Sequence, residues 1–495
     1  MERLLTFLRL PTVAVLATAI GLSALVTYSP PADPDLFART AVGRLVEING
    51  GVVHQDPFGY TPRLARWVDH EWLSGVVFYQ VARLGGDWGL LLLNLGFMLG
   101  TVILVAAAQR QVHGGKDWSP PWLFLAMVPV LGVWISVVRS RVFTFAFLAL
   151  LLLVLVRWRE GRTRWLWVIP PAFLLWANMH GGFVAGLGLL GVSAAAVSLE
   201  SPRRSVPLWG CLALSVAATL VNPYGIEYWD YILSAVTMDR PGIAEWGPLP
   251  LGSIFGVHVL LYLGIFLAGS LLSDRRPPPE AWAMVAVAFL ATLSSRRITN
   301  FFMVILAIYG AGAARAFAGA VQARIPGYWE AGRRVMAVVF VAGIGLAAGK
   351  TLQHLATFAR SGLDFEAFPT QAVDWLQSQG SGGRLLVHFN HGSYALWRLY
   401  PEYRVSMDGR YEETYPQSTV DAVYRALLPD HPEHRPSMRM VSPDYILVEG
   451  VDEAGGFGAE WQVAFRDGRF VLLAHDTLSH RAAPRSVRPL WEPGF

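Results

Sequence analysis

The chain has 495 residues, of which 54% are hydrophobic and only 15% charged, where a soluble protein of this length carries roughly 25% charge. The net charge of +4 is small and its basic residues form no stripe, which argues against nucleic acid as a partner. The single cysteine, Cys211, sits in an apolar run and excludes an internal disulfide framework and a cysteine-based metal site.

Apolar runs of about bilayer length predict a polytopic α-helical membrane protein with about eleven spans. They fall near 11–29, 87–109, 119–137, 142–156, 165–178, 181–199, 206–222, 252–273, 280–294, 299–319 and 333–350. Arg3 and Arg9 precede the first run in the manner of a signal peptide, but no small-residue cleavage site follows, so it reads as an uncleaved helix. The pair around His180-Gly181-Gly182 reads either as a tight hairpin or as one broken element. With the N-terminus in the cytoplasm, fifteen basic residues fall on inner segments and five on the later outer loops. That asymmetry places residues 30–86 and everything after 350 on the outer side.

The first outer loop, 30–86, is unusually acidic: Asp33, Asp35, Glu47, Asp56, Asp69 and Glu71. Apolar spacing over 36–48 and 71–84 predicts helices lying in the membrane interface, with turn signals at Asn49-Gly50-Gly51 and Asp56-Pro57 between them. Residues 1–350 therefore read as a membrane domain and 351–495 as a small outer α/β domain. In the latter, alternating runs at 384–389, 403–407 and 444–448 predict strands, and 368–379 predicts a helix.

A hydroxyl that attacks an activated sugar needs a base, and a departing phosphate needs positive charge. The first-loop carboxylates are the candidates for the base or for a hard cation: Asp35 and Asp33 first, then Asp56, Asp69, His70 and Glu71, with Asp35, Asp56 and Asp69 as a tentative Mg or Mn set. Asp33-Pro34-Asp35 also has the form of a helix N-cap, and both roles are compatible. Arg139, Arg141, Arg296 and Arg297 lie on outer turns against the positive-inside trend. Snorkelling to headgroups explains any one of them; together they suit a bound phosphate. Glu245 shares their face. His180 suits a metal, a proton shuttle or a carboxylate partner, and equally a structural role. Asp69-His70-Glu71 lacks zinc-helix spacing, and no phosphate-loop or dinucleotide fingerprint is present. Asp408-Gly409-Arg410 reads first as a turn, and otherwise as a surface closing over a membrane site.

Asp35-Leu36-Phe37, Asp56-Pro57-Phe58, Asp69-His70-Glu71-Trp72-Leu73, Trp176-Ala177-Asn178-Met179-His180-Gly181-Gly182, Asn222-Pro223-Tyr224-Gly225 and Asp408-Gly409-Arg410 resemble recurring phrases of a group of bacterial membrane proteins. The topology and first loop resemble the GT-C superfamily of membrane glycosyltransferases, which includes oligosaccharyltransferases, protein mannosyltransferases and lipid A aminoarabinose transferases. The resemblance makes Asp35 the counterpart of the superfamily's first-loop catalytic acid. Phe37 and Arg39 fit the related Asp-x-Tyr-Tyr-x-x-Arg pattern only in part, which leaves Asp33 and Asp35 both open. It further implies a polyprenyl-phosphate sugar donor, a glycan, lipid or protein acceptor, a divalent cation in some members, and a place in the bacterial cytoplasmic membrane. The resulting expectation is an inverting glycosyltransferase acting at the outer face. A flippase, expected to carry charge at mid-membrane, and a non-catalytic scaffold are the rival readings.

Overall fold

The computed structural model describes residues 32–114, 122–123, 126–127, 137–238, 244–327, 349, 352–353, 355–360, 362–450 and 456–478. The expected spans 11–29 and 333–350, and most of 119–137, lie outside them. The chain divides into two compact units, one of residues 1–30, 92–225 and 236–362, the other of 31–91, 226–235 and 363–495.

The first unit is helical. Helices Arg141–Arg159, Phe183–Glu200 and Ile254–Leu272 are long and apolar enough to cross a membrane, as is Trp72–Val112, which begins in the second unit. With the bent pair described below they make four, or five, such helices among the described residues. Apolar side chains on their outer surfaces, such as Ile103, Leu199, Leu260, Leu261 and Leu271, are exposed, which a lipid solvent tolerates and water does not. The expected span 299–319 is not one helix. Thr299–Tyr309 and Ala311–Arg324 meet at Gly310 with a bend of 68°. A β-carbon on Gly310 would lie 2.6 Å from the Trp122 ring, so close packing holds the break. Residues 165–178 likewise form a short 3-10 turn, Thr163–Val168, and an 11-residue helix, Ile169–Met179. His180 then takes an extended backbone conformation before Phe183–Glu200 begins.

The second unit joins residues 31–91 to the C-terminal residues. Asp33 caps helix Pro34–Asn49: its carboxylate accepts the Asp35 amide at 2.9 Å and Pro34 opens the first turn. The helix ends at Gly50, whose φ of 68° closes the last carbonyls. Trp72 starts the next helix, which kinks at Gly86, φ 53°. The two helices cross closely, because a β-carbon on Gly43 would sit 2.0 Å from the Gly75 carbonyl oxygen. Both expected first-loop helices are therefore present.

The C-terminal residues supply a mixed five-stranded sheet: β1 Gly383–Val387, β2 Tyr403–Val405, β3 Tyr445–Glu449, β4 Trp461–Arg466 and β5 Phe470–His475, in the order β2-β1-β3-β5-β4. β1 runs parallel to β2 and β3, while β5 runs antiparallel to β3 and β4. Helix Phe389–Leu399 is the crossover between the parallel strands β1 and β2, and helix Thr370–Gln379 precedes β1. The first loop is stitched onto this sheet. Gly59 bridges Val405 in parallel, Tyr60 donates to the Val405 carbonyl, and Thr61 donates to the Ser406 carbonyl at 2.7 Å. Helix Pro34–Asn49 packs on helix Phe389–Leu399, where Phe37 is enclosed by Phe365, Phe368 and Tyr394. The expected division at residue 350 separated the first loop from the outer domain; these contacts put the two in one compact unit.

Candidate functional site

Two buried arginines organise the second unit. Arg39 follows from helical spacing: it lies on the face that carries Leu36, Phe37 and Val42 into the interior and is only 5% exposed. A charge so enclosed must be paired. Its guanidinium donates to Asp69 and to both Glu413 oxygens, and its Nε stands 2.9 Å from Glu71. His70 completes the cluster, with Nδ1 3.2 Å and Nε2 3.5 Å from the Glu413 and Glu71 carboxylates respectively. Its ring lies beside that of Tyr231.

Charge and burial compete here. Burial disfavours the imidazolium of His70, but Glu413 outweighs it and raises the His70 pKa. Burial also opposes ionisation of Glu413, yet Arg39 and His70 hold it below the ordinary carboxylate range. For Asp69 burial prevails over the attraction of Arg39, and its pKa is raised.

The second arginine is Arg410, 1% exposed. It donates Nε and Nη2 to the two oxygens of Asp408 at 2.8 and 2.7 Å, and Nη1 to Asp56 at 2.7 Å. The faces of Phe58 and Trp67 cover it at 4.9 and 4.8 Å. Tyr415 donates to Asp408 at 2.7 Å, and the amides of Phe58 and Gly59 donate to Asp56. Burial opposes the charge on Asp408, but Arg410 prevails and keeps it below the usual carboxylate range.

These contacts bear on the tentative metal set. Asp56 is bound by Arg410 and two amides, and Asp69 by Arg39 and the Glu71 amide. Among the described residues no group of three or more His, Cys, Asp or Glu is placed to hold a metal ion. Asp35, Asp56 and Asp69 do not fit one as a set, because guanidinium groups already neutralise two of the three. Asp33 serves the helix cap, and Asp35 lies in the first helical turn, half-buried. The carboxylate of Asp35 faces the Asp408-Gly409-Arg410 turn: a β-carbon built on Gly409 would lie 3.1 Å from its Oδ1.

The first unit carries the remaining candidates. Arg141 and Arg297 converge on Glu245, at 3.8 and 3.6 Å, and Arg297 also lies over the Trp246 ring at 4.4 Å. Arg296 enters through its backbone, whose amide donates to Gly247 at 2.9 Å; Arg139 lies two residues before Arg141 at the same helix start. His180 belongs to a polar chain. Trp176 donates to Thr144 Oγ1 at 2.8 Å, and Thr144 Oγ1 is 2.8 Å from His180 Nδ1, which also accepts the Gly182 amide at 2.9 Å. An Nδ1 that accepts is unprotonated, so a neutral ring carries its proton on Nε2.

Sequence reasoning missed Arg39 and Glu413 as a pair, and read Asp408-Gly409-Arg410 as a turn without its partner Asp56. An arginine amid Leu36, Phe37, Ala38 and Val42 was the available signal, since a charge on an apolar helix face needs a counter-charge.

Solved structures of ArnT and of an oligosaccharyltransferase share this fold. The chain is similar to ArnT from Cupriavidus metallidurans bound to undecaprenyl phosphate, with TM-score 0.52, 16% identity, and 96% of this chain and 98% of that one covered. It is also similar to the oligosaccharyltransferase AglB from Archaeoglobus fulgidus in complex with an inhibitory peptide and a dolichol-phosphate, with TM-score 0.53, 13% identity, and coverage of 88% and 69%. A complex of the Archaeoglobus fulgidus oligosaccharyltransferase with Zn and sulfate matches with TM-score 0.53 and 13% identity, covering 88% and 68%. No protein-family model and no curated protein sequence matches the chain.

Proposed function

We propose that this chain is an inverting glycosyltransferase that moves a sugar from a polyprenyl-phosphate carrier to an acceptor hydroxyl at the outer face of a bacterial cytoplasmic membrane. Asp35 is the base. It takes the acceptor proton as the acceptor oxygen bonds to the anomeric carbon, and the carbon–oxygen bond to phosphate breaks with its electron pair leaving on the phosphate. Arg141 and Arg297, with Arg139 and Arg296, are the guanidinium groups of the first unit that suit a phosphate.

The observation that carries the choice of Asp35 is its place, half-buried in the first helical turn with its carboxylate beside Gly409. Asp33 caps a helix, and Asp56 and Asp69 are enclosed and ion-paired. Asp35 alone of the four combines partial exposure with a place beside the Asp408-Gly409-Arg410 turn. The GT-C fold supports the reaction class, and the lipid phosphates in the ArnT and AglB complexes support the donor class. Among the described residues Asp35, Asp56 and Asp69 do not make a set for a metal, and the step as written uses none.

The test is release of undecaprenyl phosphate from radiolabelled undecaprenyl-phosphate sugars by the purified, reconstituted chain, with bacterial membranes supplying acceptor. Asp35→Asn is expected to lower the rate by about 10²–10⁴-fold while its unfolding temperature stays within a few degrees of the parent. Undiminished release by that variant would remove Asp35 as the base, and absence of release by the parent chain would return it to the scaffold reading.

A further inference from the structure

The Asp408-Gly409-Arg410 turn is held more tightly than an ordinary surface turn. Arg410 is tied to Asp408, and also to Asp56 of the first loop. Gly409 donates its amide to the Ser393 hydroxyl oxygen at 2.9 Å. Just beyond, Tyr411 adopts φ 41°, in the left-handed region that non-glycine residues rarely enter. Helix Phe389–Leu399 presses on the same segment: a β-carbon on Gly392 would sit 2.0 Å from the Met407 carbonyl oxygen. None of this serves a loose connection.

What the turn presents is the α-carbon of Gly409. A methyl group there would meet two atoms, Ser393 Oγ at 2.9 Å and Asp35 Oδ1 at 3.1 Å. Both distances are shorter than a relaxed contact. The backbone of Gly409 lies outside the left-handed region, so any residue could adopt it. The glycine is required by space and not by backbone conformation. The bare α-carbon of Gly409 therefore packs directly against Ser393 and the Asp35 carboxylate.

We propose that Gly409 is a positioning residue of the transfer reaction: the locked turn, kept bare of a side chain, packs its α-carbon against Ser393 and the Asp35 carboxylate and so sets the orientation of that carboxylate. The inference rests on Asp35 being the base. The sheet-bearing C-terminal residues thereby contribute directly to the geometry of the base.

The experiment uses the full chain in detergent or liposomes and compares Gly409→Ala, Ser393→Ala and the double variant. Two readouts are taken: undecaprenyl phosphate release, and the rate at which a water-soluble carbodiimide labels Asp35, read by mass spectrometry. Gly409→Ala is expected to lower kcat/KM at least tenfold, to move the acidic limb of the pH–rate profile upward, and to change Asp35 labelling severalfold at an unchanged unfolding temperature. The double variant is expected to stay impaired, since only the Ser393 contact has been relieved. Parental kinetics and labelling in Gly409→Ala, or full recovery in the double variant, would overturn the proposal. If Asp35→Asn retains activity while Gly409→Ala still alters Asp35 labelling, the contact stands and the assignment of Asp35 as base falls.

Discussion

Arg39 and Glu413 lie 374 positions apart in the chain and meet through two hydrogen bonds between guanidinium and carboxylate inside one compact unit. One residue comes from helix Pro34–Asn49, the other from the short 3-10 turn Tyr411–Glu413. Together with the Arg410–Asp56 contact, spanning 354 positions, they make the loop and the α/β sheet a single folded body. The carboxylates of the loop divide between structure and chemistry on that basis.

The first prediction concerns that body. Arg410 is enclosed and neutralises Asp56 and Asp408. Arg410→Ala strands two buried carboxylates, which costs about 3–5 kcal/mol. Arg410→Lys keeps the charge but not the forked geometry, and should fall between parent and alanine. Denaturant unfolding followed by tryptophan fluorescence measures this, since Trp67 lies against the guanidinium. An alanine variant as stable as the parent would show that the cluster carries no stability.

The second prediction is a pH dependence from the Arg39 cluster. Glu413 has a depressed pKa, so its stabilisation is present above its unfolded value, near 4.5, and is lost as pH falls through its folded value. His70 has a raised pKa. Its stabilisation is full below about 6.5 and is lost as pH rises through its folded value. Asp69, raised by burial, works against Glu413 on the acid side, so difference curves are needed. Glu413→Gln should flatten the acid limb of stability against pH, and His70→Gln the limb above pH 6.5. Variants that only displace the curve, leaving its slopes unchanged, would contradict the assignment.

The elements were legible because their signals are local. The Asp33-Pro34 cap, the Gly50 stop and the alternating runs at β1, β2 and β3 each depend on a few neighbouring residues, and each forms where expected. β4 and β5 were not foreseen. β4 is an edge strand with exposed Val463, and it bears little of the alternation that half-burial imposes. The break at Gly310 was also hidden, because hydropathy continues through it while the Trp122 ring that packs there lies far back in the chain. The pairing of Asp56 with Arg410, and of Asp69 with Arg39, was out of reach for the same reason. A single sequence names charges but not the partners that consume them, so nothing in it told Asp56 and Asp69 apart from Asp35.

The third prediction separates Asp33 from Asp35. Asp33 caps a helix through the Asp35 amide. Asp33→Ala should cost about 0.5–2 kcal/mol, while Asp33→Asn, an equally good cap, should be neutral. Both should transfer sugar at no less than a few tenths of the parental rate, in contrast to Asp35→Asn. Parallel melting curves and undecaprenyl phosphate release decide it. A dead but stable Asp33→Asn would move the base to Asp33.

The fourth prediction concerns the arginines that meet Glu245. Their separations of 3.6 and 3.8 Å exceed hydrogen-bond length, and partly exposed pairs of this kind contribute about 0–1 kcal/mol. Glu245→Gln, Arg141→Ala and Arg297→Ala should therefore leave unfolding nearly unchanged. Their effect on a phosphate ligand should be larger and opposite in sign. Removing Glu245 frees two guanidinium groups from a competing carboxylate, so undecaprenyl phosphate should bind more tightly. Removing Arg297 deletes a charge-assisted hydrogen bond of about 1.5–3 kcal/mol, which is about 10–100-fold in Kd. Titration of each variant with undecaprenyl phosphate in nanodiscs reads the sign directly. Weaker binding in Glu245→Gln would mean that the carboxylate positions the arginines and does not compete with the ligand, and unchanged binding in all three would remove this cluster from the donor site.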